Sequence, residues 1–270
     1  MDACYSAGSW QCVDGLLACG DRSSLRPRGS LGQTSASEAS DYTIKVDATG
    51  LQPNRRYFYR FNALGISSAI GTTRTLPDGM ATNFTIGVAS CSNFPQGFFN
   101  AYRDMAEADL DLVLHLGDYI YEYPEAEYAN DFAREVLRRN VVPRREVIAL
   151  EDYRMRYGLY RTDPDLQALH QRHPFICVWD DHELANNAWR EGAENHNEGE
   201  GDFPQRIAAA RQAYHEWMPI RTPNEGDQGP IYRRFEIGIL ADLIMLDTRF
   251  VARDRGLEYA QDMLFAPALV

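Results

Sequence analysis

Positive charge on long flexible stems is almost absent from this sequence: Lys45 is its only lysine, and arginine makes up the rest of the 27 basic residues. Against 39 acidic residues they leave a formal charge of -12, which excludes a broad electrostatic hold on nucleic acid. An acidic chain that handles an anion needs local positive charge, and bound cations can supply it. No run approaches the roughly eighteen apolar residues of a membrane-spanning helix. The start of the chain also lacks the charged head and apolar stretch of a secretory signal. No CxxC pair occurs among the cysteines at 4, 12, 19, 91 and 177, which argues against a zinc knot, although Cys4, Cys12 and Cys19 are placed to form disulfides in an exported chain. Internal repeats are missing too.

What is present is enough apolar material, 44% of 270 residues, for a substantial core. Residues 1–37 are rich in Gly, Ser and Arg without periodicity and read as an unassigned lead-in, with Ser30 to Ser40 as a loop. Alternation over Tyr42–Asp47, Tyr57–Phe61 and Gly71–Leu76, with a turn at Leu51–Asn54, predicts three short strands and a partial β-sandwich over 38–80. Pro77-Asp78-Gly79 breaks that rhythm. Over 81–270 buried-strand runs (Phe84–Ala89, Leu110–Leu116, Phe175–Trp179, Leu240–Leu246) alternate with amphipathic stretches (Phe99–Ala108, Glu151–Leu159, Phe203–Trp217), the pattern of an α/β domain.

Each of those strands runs into potential ligands: Ser90-Cys91, Gly117-Asp118, Asp180-Asp181-His182-Glu183 and Asp247. Sites of open α/β sheets form at the carboxyl ends of strands, so these residues are expected to converge. A carboxylate cluster repels itself unless cations neutralise it. Carboxylates suit hard cations, whereas a thiolate and a phenolate suit ferric iron or another transition metal, so a mixed two-metal site is expected, with a metal-activated hydroxide attacking phosphorus in line. Plainer readings apply elsewhere. Cys177 fits core packing, His115 packing or surface, and Tyr119 and Tyr123 structure. Asp247 and Arg249 read as a structural pair. The arginine-rich stretch from Arg134 to Arg172 reads as a solvated helical face, with Arg154 or Arg161 as the arginine that could approach a phosphate.

Gly117-Asp-Tyr-Ile-Tyr121 looks like the GDxxY motif of purple-acid-type metallophosphatases, and Trp179-Asp-Asp-His-Glu183 stands where those enzymes carry GNHE. Together with Ala89-Ser-Cys91 and Asn186-Asn-Ala-Trp189, these segments resemble the PhoD-like alkaline phosphatases. The resemblance spans roughly residues 38–250. It implies an α/β metallophosphatase-like core, two sheets flanked by helices, behind a partial β-sandwich. It also implies phosphate monoester hydrolysis, with diesters as the wider class, using Fe(3+) and Ca(2+). Carried over by motif, Cys91, Asp118 and Tyr121 become iron ligands, Asp118 bridges to calcium, Asp181 takes the second-metal position, and His182 faces the substrate. Asp180 and Asn187 are further candidates for metal or substrate contact. The implied partner is a phosphate ester; no specific nucleic acid and no membrane span is expected, and oligomeric state is not legible. Family members are commonly periplasmic or secreted. They also continue into a late His-containing metal motif with no counterpart before Val270, so the alternative expectation is a catalytically inactive fragment.

Overall fold

The computed structural model describes residues 8–14, 31–221, 229, 231–251 and 253–256, and of residues 8–14 and 31 only the backbone. Its front sheet is built from β1 (Gly8–Asp14), β2 (Leu31–Thr34), β3 (Arg56–Ala63), β4 (Ile66–Ser67) and β5 (Gly71–Arg74). β3 is the axis. β1 runs antiparallel along one of its edges, Trp10 opposite Phe61, while β4 and β5 share the other, Tyr57 opposite Thr73. β2 extends the sheet beyond β1.

This sheet differs from the sequence-based expectation at both ends. Two stretches of the supposed lead-in are strands, because β1 and β2 are specified by distant pairing rather than by local alternation. Tyr42–Asp47, in contrast, is not a strand. Asp41 and Tyr42 turn the chain with φ of 50° and 56°, and the polar positions that follow go to a helix instead of a ladder. The Trp217 indole N–H donates to Asp41 (3.0 Å), Arg221 to Asp47 (2.8 Å), and the Lys45 ammonium to the His215 carbonyl. Of the disulfide candidates, Cys4 and Cys19 lie outside the described residues, as does the side chain of Cys12.

The rest of the described chain is mixed α/β, with two sheets and five α-helices. In order it forms β6 (Ile86–Ala89), α1 (Asn100–Glu107), β7 (Leu112–His115), α2 (Asp131–Glu135), α3 (Leu150–Tyr160), α4 (Pro164–Arg172), β8 (Phe175–Cys177), α5 (Phe203–Trp217), β9 (Arg233–Ile237) and β10 (Ala241–Met245). β6, β7 and β8 are parallel and adjacent in that order. Every residue of β7 is buried, as expected of a central strand covered on both faces. At Gly87 of β6 an added Cβ would press to 2.7 Å on Met105 and Leu110, so the absence of a side chain sets how closely α1 seats on the sheet. Asp163 starts α4 by accepting from the amides of Asp165 and Leu166, with Pro164 at the first helical position. The fourth expected strand, β10, does not join this sheet. It pairs antiparallel with β9 as a separate hairpin, which Arg233 ties to the end of β8 through the Cys177 carbonyl (2.7 Å).

The arginine-rich stretch is not simply a solvated face. Arg156 is fully buried and donates to the carbonyls of Tyr121, Tyr123, Val142 and Pro143. Arg139 is buried against Asp163 (2.8 Å) and the Phe94 carbonyl. A planar fork with five donors can satisfy several loop carbonyls at once, which a lysine ammonium cannot do in this geometry. Arg154 pairs with Glu216 across α3 and α5, and Arg161 donates to the Trp217 carbonyl, so both are spent on helix packing rather than near a phosphate. Replacing Arg156 by Met would strand buried carbonyls beneath the Tyr121–Tyr123 loop. Chemical denaturation is expected to show a loss of about 3 kcal/mol, and a loss below about 1 kcal/mol would show that the loop does not depend on these bonds.

Candidate metal centre

Three parallel strands deliver three turns to one edge. β6 runs into Cys91, β7 into Gly117-Asp118, and β8 into Asp180-Asp181-His182. The first two turns are bonded directly, the Cys91 amide to the Gly117 carbonyl (3.2 Å) and the Ser92 amide to the Asp118 carbonyl (3.4 Å). Cys91 and Asp118 both hold left-handed backbone, φ 56° and 52°, unfavourable for residues with a Cβ and common where a side chain must be aimed at a site. Gly117 is required by its neighbour: at its φ of 106° an added Cβ would run into the backbone nitrogen of Asp180.

The third turn is locked by Glu183. Its buried carboxylate accepts from the backbone amides of Asp118 (3.0 Å), Tyr119 (2.6 Å) and Asp180 (2.8 Å), joining the β7 turn to the β8 turn. Burial raises its pKa, and the nearby charge of Asp118 adds to that. A buried polar chain supports the same region from behind. The Gly117 amide donates to His115 Nδ1 (3.4 Å), which leaves the proton of this imidazole on Nε2, facing the Tyr102 hydroxyl (3.1 Å). Tyr102 in turn donates to Ser92 Oγ (2.7 Å), beside Cys91. Burial, then Arg161, lowers the His115 pKa to about 3, so the ring is neutral.

At the focus of these turns a ligand atom from each of Asp118, Asp181 and His182 lies within 4.8 Å of the others, and all three residues are buried. The Tyr121 hydroxyl donates to Asp118 Oδ2 (3.3 Å), and the Cys91 thiol is within hydrogen-bonding reach of both Asp118 and Tyr121. Asp181 Oδ2 accepts the Asn187 amide (2.5 Å). The chemistry of this donor set fits a cation. Burial raises the pKa of Cys91, Asp118 and Tyr121; the charge of Asp118 adds to this at Cys91 and Tyr121, whereas at Asp118 itself His182 opposes the rise and Asp181 adds to it, so a bound cation would favour the deprotonated form of each donor.

His182 lies within ligand reach of the same point, and its outer partner is Glu122. Nδ1 is 2.8 Å from Glu122 Oε2, while Glu122 Oε1 accepts the Asn186 amide (2.7 Å) and the Asn195 side chain (2.9 Å). Burial opposes a charged ring, but the hydrogen bond and charge of Glu122, with Asp181 and Asp118 behind them, outweigh it and raise the pKa to about 9.

The remaining expected residues are placed differently. Asp180 gives its amide to Glu183 and its carboxylate to Arg249, whose guanidinium also reaches Asp181 (3.3 Å). Asp247 does not pair with the Arg249 side chain. It accepts the backbone amides of Arg249 and Phe250 and so shapes the turn that sends this guanidinium to the site. Asn187 is exposed, its side-chain amide bound to Glu194, and it reaches Asp181 through its backbone. Glu122 was not anticipated, nor were the clamping role of Glu183 and the reach of Arg249 to the two aspartates. Glu183 closes one quoted motif segment and Glu122 directly follows the other, and an acid in a run otherwise destined for burial is the signal that could have marked them.

Comparisons with known proteins bear on the family and the fold. The family model described as PhoD-like phosphatase matches residues 86–268, and the one described as its N-terminal domain matches residues 16–77. The chain is similar to alkaline phosphatase D of Bacillus subtilis (strain 168), with 41% identity over 220 residues, covering 80% of this chain and 37% of that protein. It also superposes on the solved structure of PhoD with a TM-score of 0.79 and 36% identity, over 92% of this chain and 46% of that one. The chain thus spans less than half the length of either relative.

Two measurements test the geometry. Glu183→Gln keeps the shape but replaces one carboxylate oxygen by a donor that faces backbone N–H groups. We expect about 2 kcal/mol lower stability by denaturant unfolding and weaker metal uptake; unchanged values for both would remove Glu183 as the clamp. In the metal-free chain, NMR titration should find the His182 ring protonated up to about pH 9, and in Glu122→Gln the midpoint should fall towards that of a free imidazole. Because this pKa is raised on folding, the pairing's stabilisation is fully present below about pH 6.5 and is lost as pH rises through about 9. An unshifted midpoint in the variant would remove Glu122 as the cause.

Proposed function

The chain belongs to the PhoD-like phosphatase family, and on that premise we propose that it is a metal-dependent phosphoric ester hydrolase acting on phosphate monoesters, with diesters as the wider substrate class. The observation that carries this reading is the focus of Asp118, Asp181 and His182 within ligand distance of one another, with Cys91 and Tyr121 against Asp118. In this reading Cys91, Asp118 and Tyr121 would hold ferric iron, and Asp118 and Asp181 would hold calcium. Bound metal supplies Lewis acidity to the phosphoryl oxygens and acidifies water so that hydroxide is available near neutral pH.

The chain's own residues do the rest. Glu122 holds Nδ1 of His182, which leaves Nε2 as the free end of the ring. With the ring protonated, Nε2–H can pass its proton to the departing ester oxygen, so that an alcohol rather than an alkoxide leaves. Glu183 and Gly117 keep the two acidic turns in register, and Arg249 offsets the negative charge of Asp180 and Asp181.

Metal analysis by mass spectrometry, run beside hydrolysis of a chromogenic phosphomonoester, tests the proposal. Iron and calcium in stoichiometric amounts are expected together with turnover, and Asp118→Asn should lose both. His182→Ala should keep the metals and lose about a hundredfold in kcat. A chain that is folded by circular dichroism yet binds no metal and cleaves no ester would overturn the proposal and leave a non-catalytic remnant of the family.

A further inference from the structure

Where Tyr121, Tyr123 and His182 meet, a fourth ring stands in solvent. Tyr128 is 56% exposed, with its ring centroid 5.6 Å from that of Tyr121 and 5.3 Å from that of Tyr123. Its plane lies only 16° from that of the His182 imidazole, at 6.4 Å. The backbone that presents it is held firmly. Asn93 and Gln96 both donate side-chain amides to the Tyr128 carbonyl (2.8 and 2.9 Å), the Asn130 amide binds the Pro95 carbonyl, and the Glu125 amide binds that of Arg144. Tyr128 and Ala126 adopt left-handed backbone, φ 47° and 73°, which residues with a Cβ avoid unless their surroundings impose it. The fold therefore fixes a large aromatic side chain at the mouth of the site without burying it, and an aromatic face left open in this way is suited to recognition.

The orientation of His182 says which part of a substrate would meet that face. Its Nδ1 is held by Glu122, and its ring packs beside those of Tyr123 and Tyr128, with centroids at 5.4 and 6.4 Å, so in the hydrolytic reading an alcohol portion departing past His182 would meet these ring faces. We propose that Tyr128 is a stacking platform for the alcohol portion, and that the site is selective for phosphate esters whose alcohol bears a planar aromatic or heteroaromatic ring. The proposal rests on the hydrolytic reading above and names its substrate class.

Adenosine 5′-monophosphate and ribose 5-phosphate test it, since they share the departing 5′ oxygen and differ in the base. With the iron- and calcium-loaded chain, kcat/KM is expected to favour the nucleotide by about tenfold, the scale of one base stacked on an aromatic ring. Tyr128→Ala should bring that ratio close to one, and Tyr128→Phe should preserve it; thermal melts of both variants confirm folding. Saturation-transfer NMR reads the stacking without turnover, because the base protons should be saturated by the native chain and not by Tyr128→Ala. Hydrolysis of both esters with a ratio that Tyr128→Ala leaves unchanged overturns the platform and spares the hydrolytic reading. Base contact that depends on Tyr128 but without hydrolysis upholds the platform and sinks the hydrolytic reading. Neither contact nor hydrolysis overturns both.

Discussion

The Glu183 carboxylate holds the candidate centre together. It accepts from three backbone amides on two turns that lie more than sixty residues apart in sequence, those of Asp118, Tyr119 and Asp180. A neutral amide or ester in its place could not accept in three directions with equal strength, so the clamp favours the ionised form. Burial and the negative charge of Asp118 work the other way. These influences are reconciled when a cation sits on Asp118, since the charge that opposes ionisation of Glu183 is then cancelled. Assembly of the turns and uptake of a metal would in this way be coupled, the general condition of a site whose ligands are protonated or repelled when empty.

The same logic explains the layers behind the ligands. His115 is neutral, takes the Gly117 amide on one nitrogen and faces Tyr102 with the other, and Tyr102 completes the chain at Ser92. His115, Gly117 and Tyr102 are buried, Ser92 is half-buried, and every member is partnered, which is the condition under which a polar network stiffens a core instead of weakening it. Arg156 does for the Tyr121–Tyr123 loop what this chain does for the Cys91 and Asp118 turns. Cys91 and Asp118 themselves carry strained backbone, and such strain persists only where the surroundings hold it on several sides.

Much of this was legible in the sequence, for physical reasons that also mark where legibility ends. Strands of such a parallel sheet are apolar throughout, so β6, β7 and β8 announce themselves, although only β7 and β8 are buried at every position, and the polar residues at their carboxyl ends stand out by contrast. Alternation is weaker information. It found β3 and β5, but Tyr42–Asp47 alternates without pairing with a strand, its polar residues bonding instead to α5 at Lys45 and to Arg221 just beyond it at Asp47. β9 was missed since two of its five residues are arginines, although Arg233 reaches inward to the Cys177 carbonyl. The signal for α4 was available in Asp163-Pro164, a capping acid followed by a residue preset for the first turn. Glu183 lies in view inside one motif and Glu122 directly after the other, yet their partners are residues distant in sequence, and no local pattern encodes such a contact.

Scarcity of lysine acquires a structural meaning at Arg249. The overall charge of the chain offers no positive field to an anion, so positive charge has to be placed residue by residue. The β9–β10 hairpin does not extend the sheet that carries the ligands, but the turn after it, shaped by Asp247, delivers the Arg249 guanidinium to Asp180 and Asp181. Asp180 is thereby neutralised on its outer side, whereas Asp181 makes the longer contact with Arg249, accepts one backbone amide and stands within ligand distance of Asp118 and His182. Of two adjacent acids, the one already paired is the poorer ligand, because a cation would have to displace a guanidinium held at close range. The arginine thus separates neighbouring aspartates that local sequence could not rank on physical grounds, leaving Asp181 as the acid turned towards the centre.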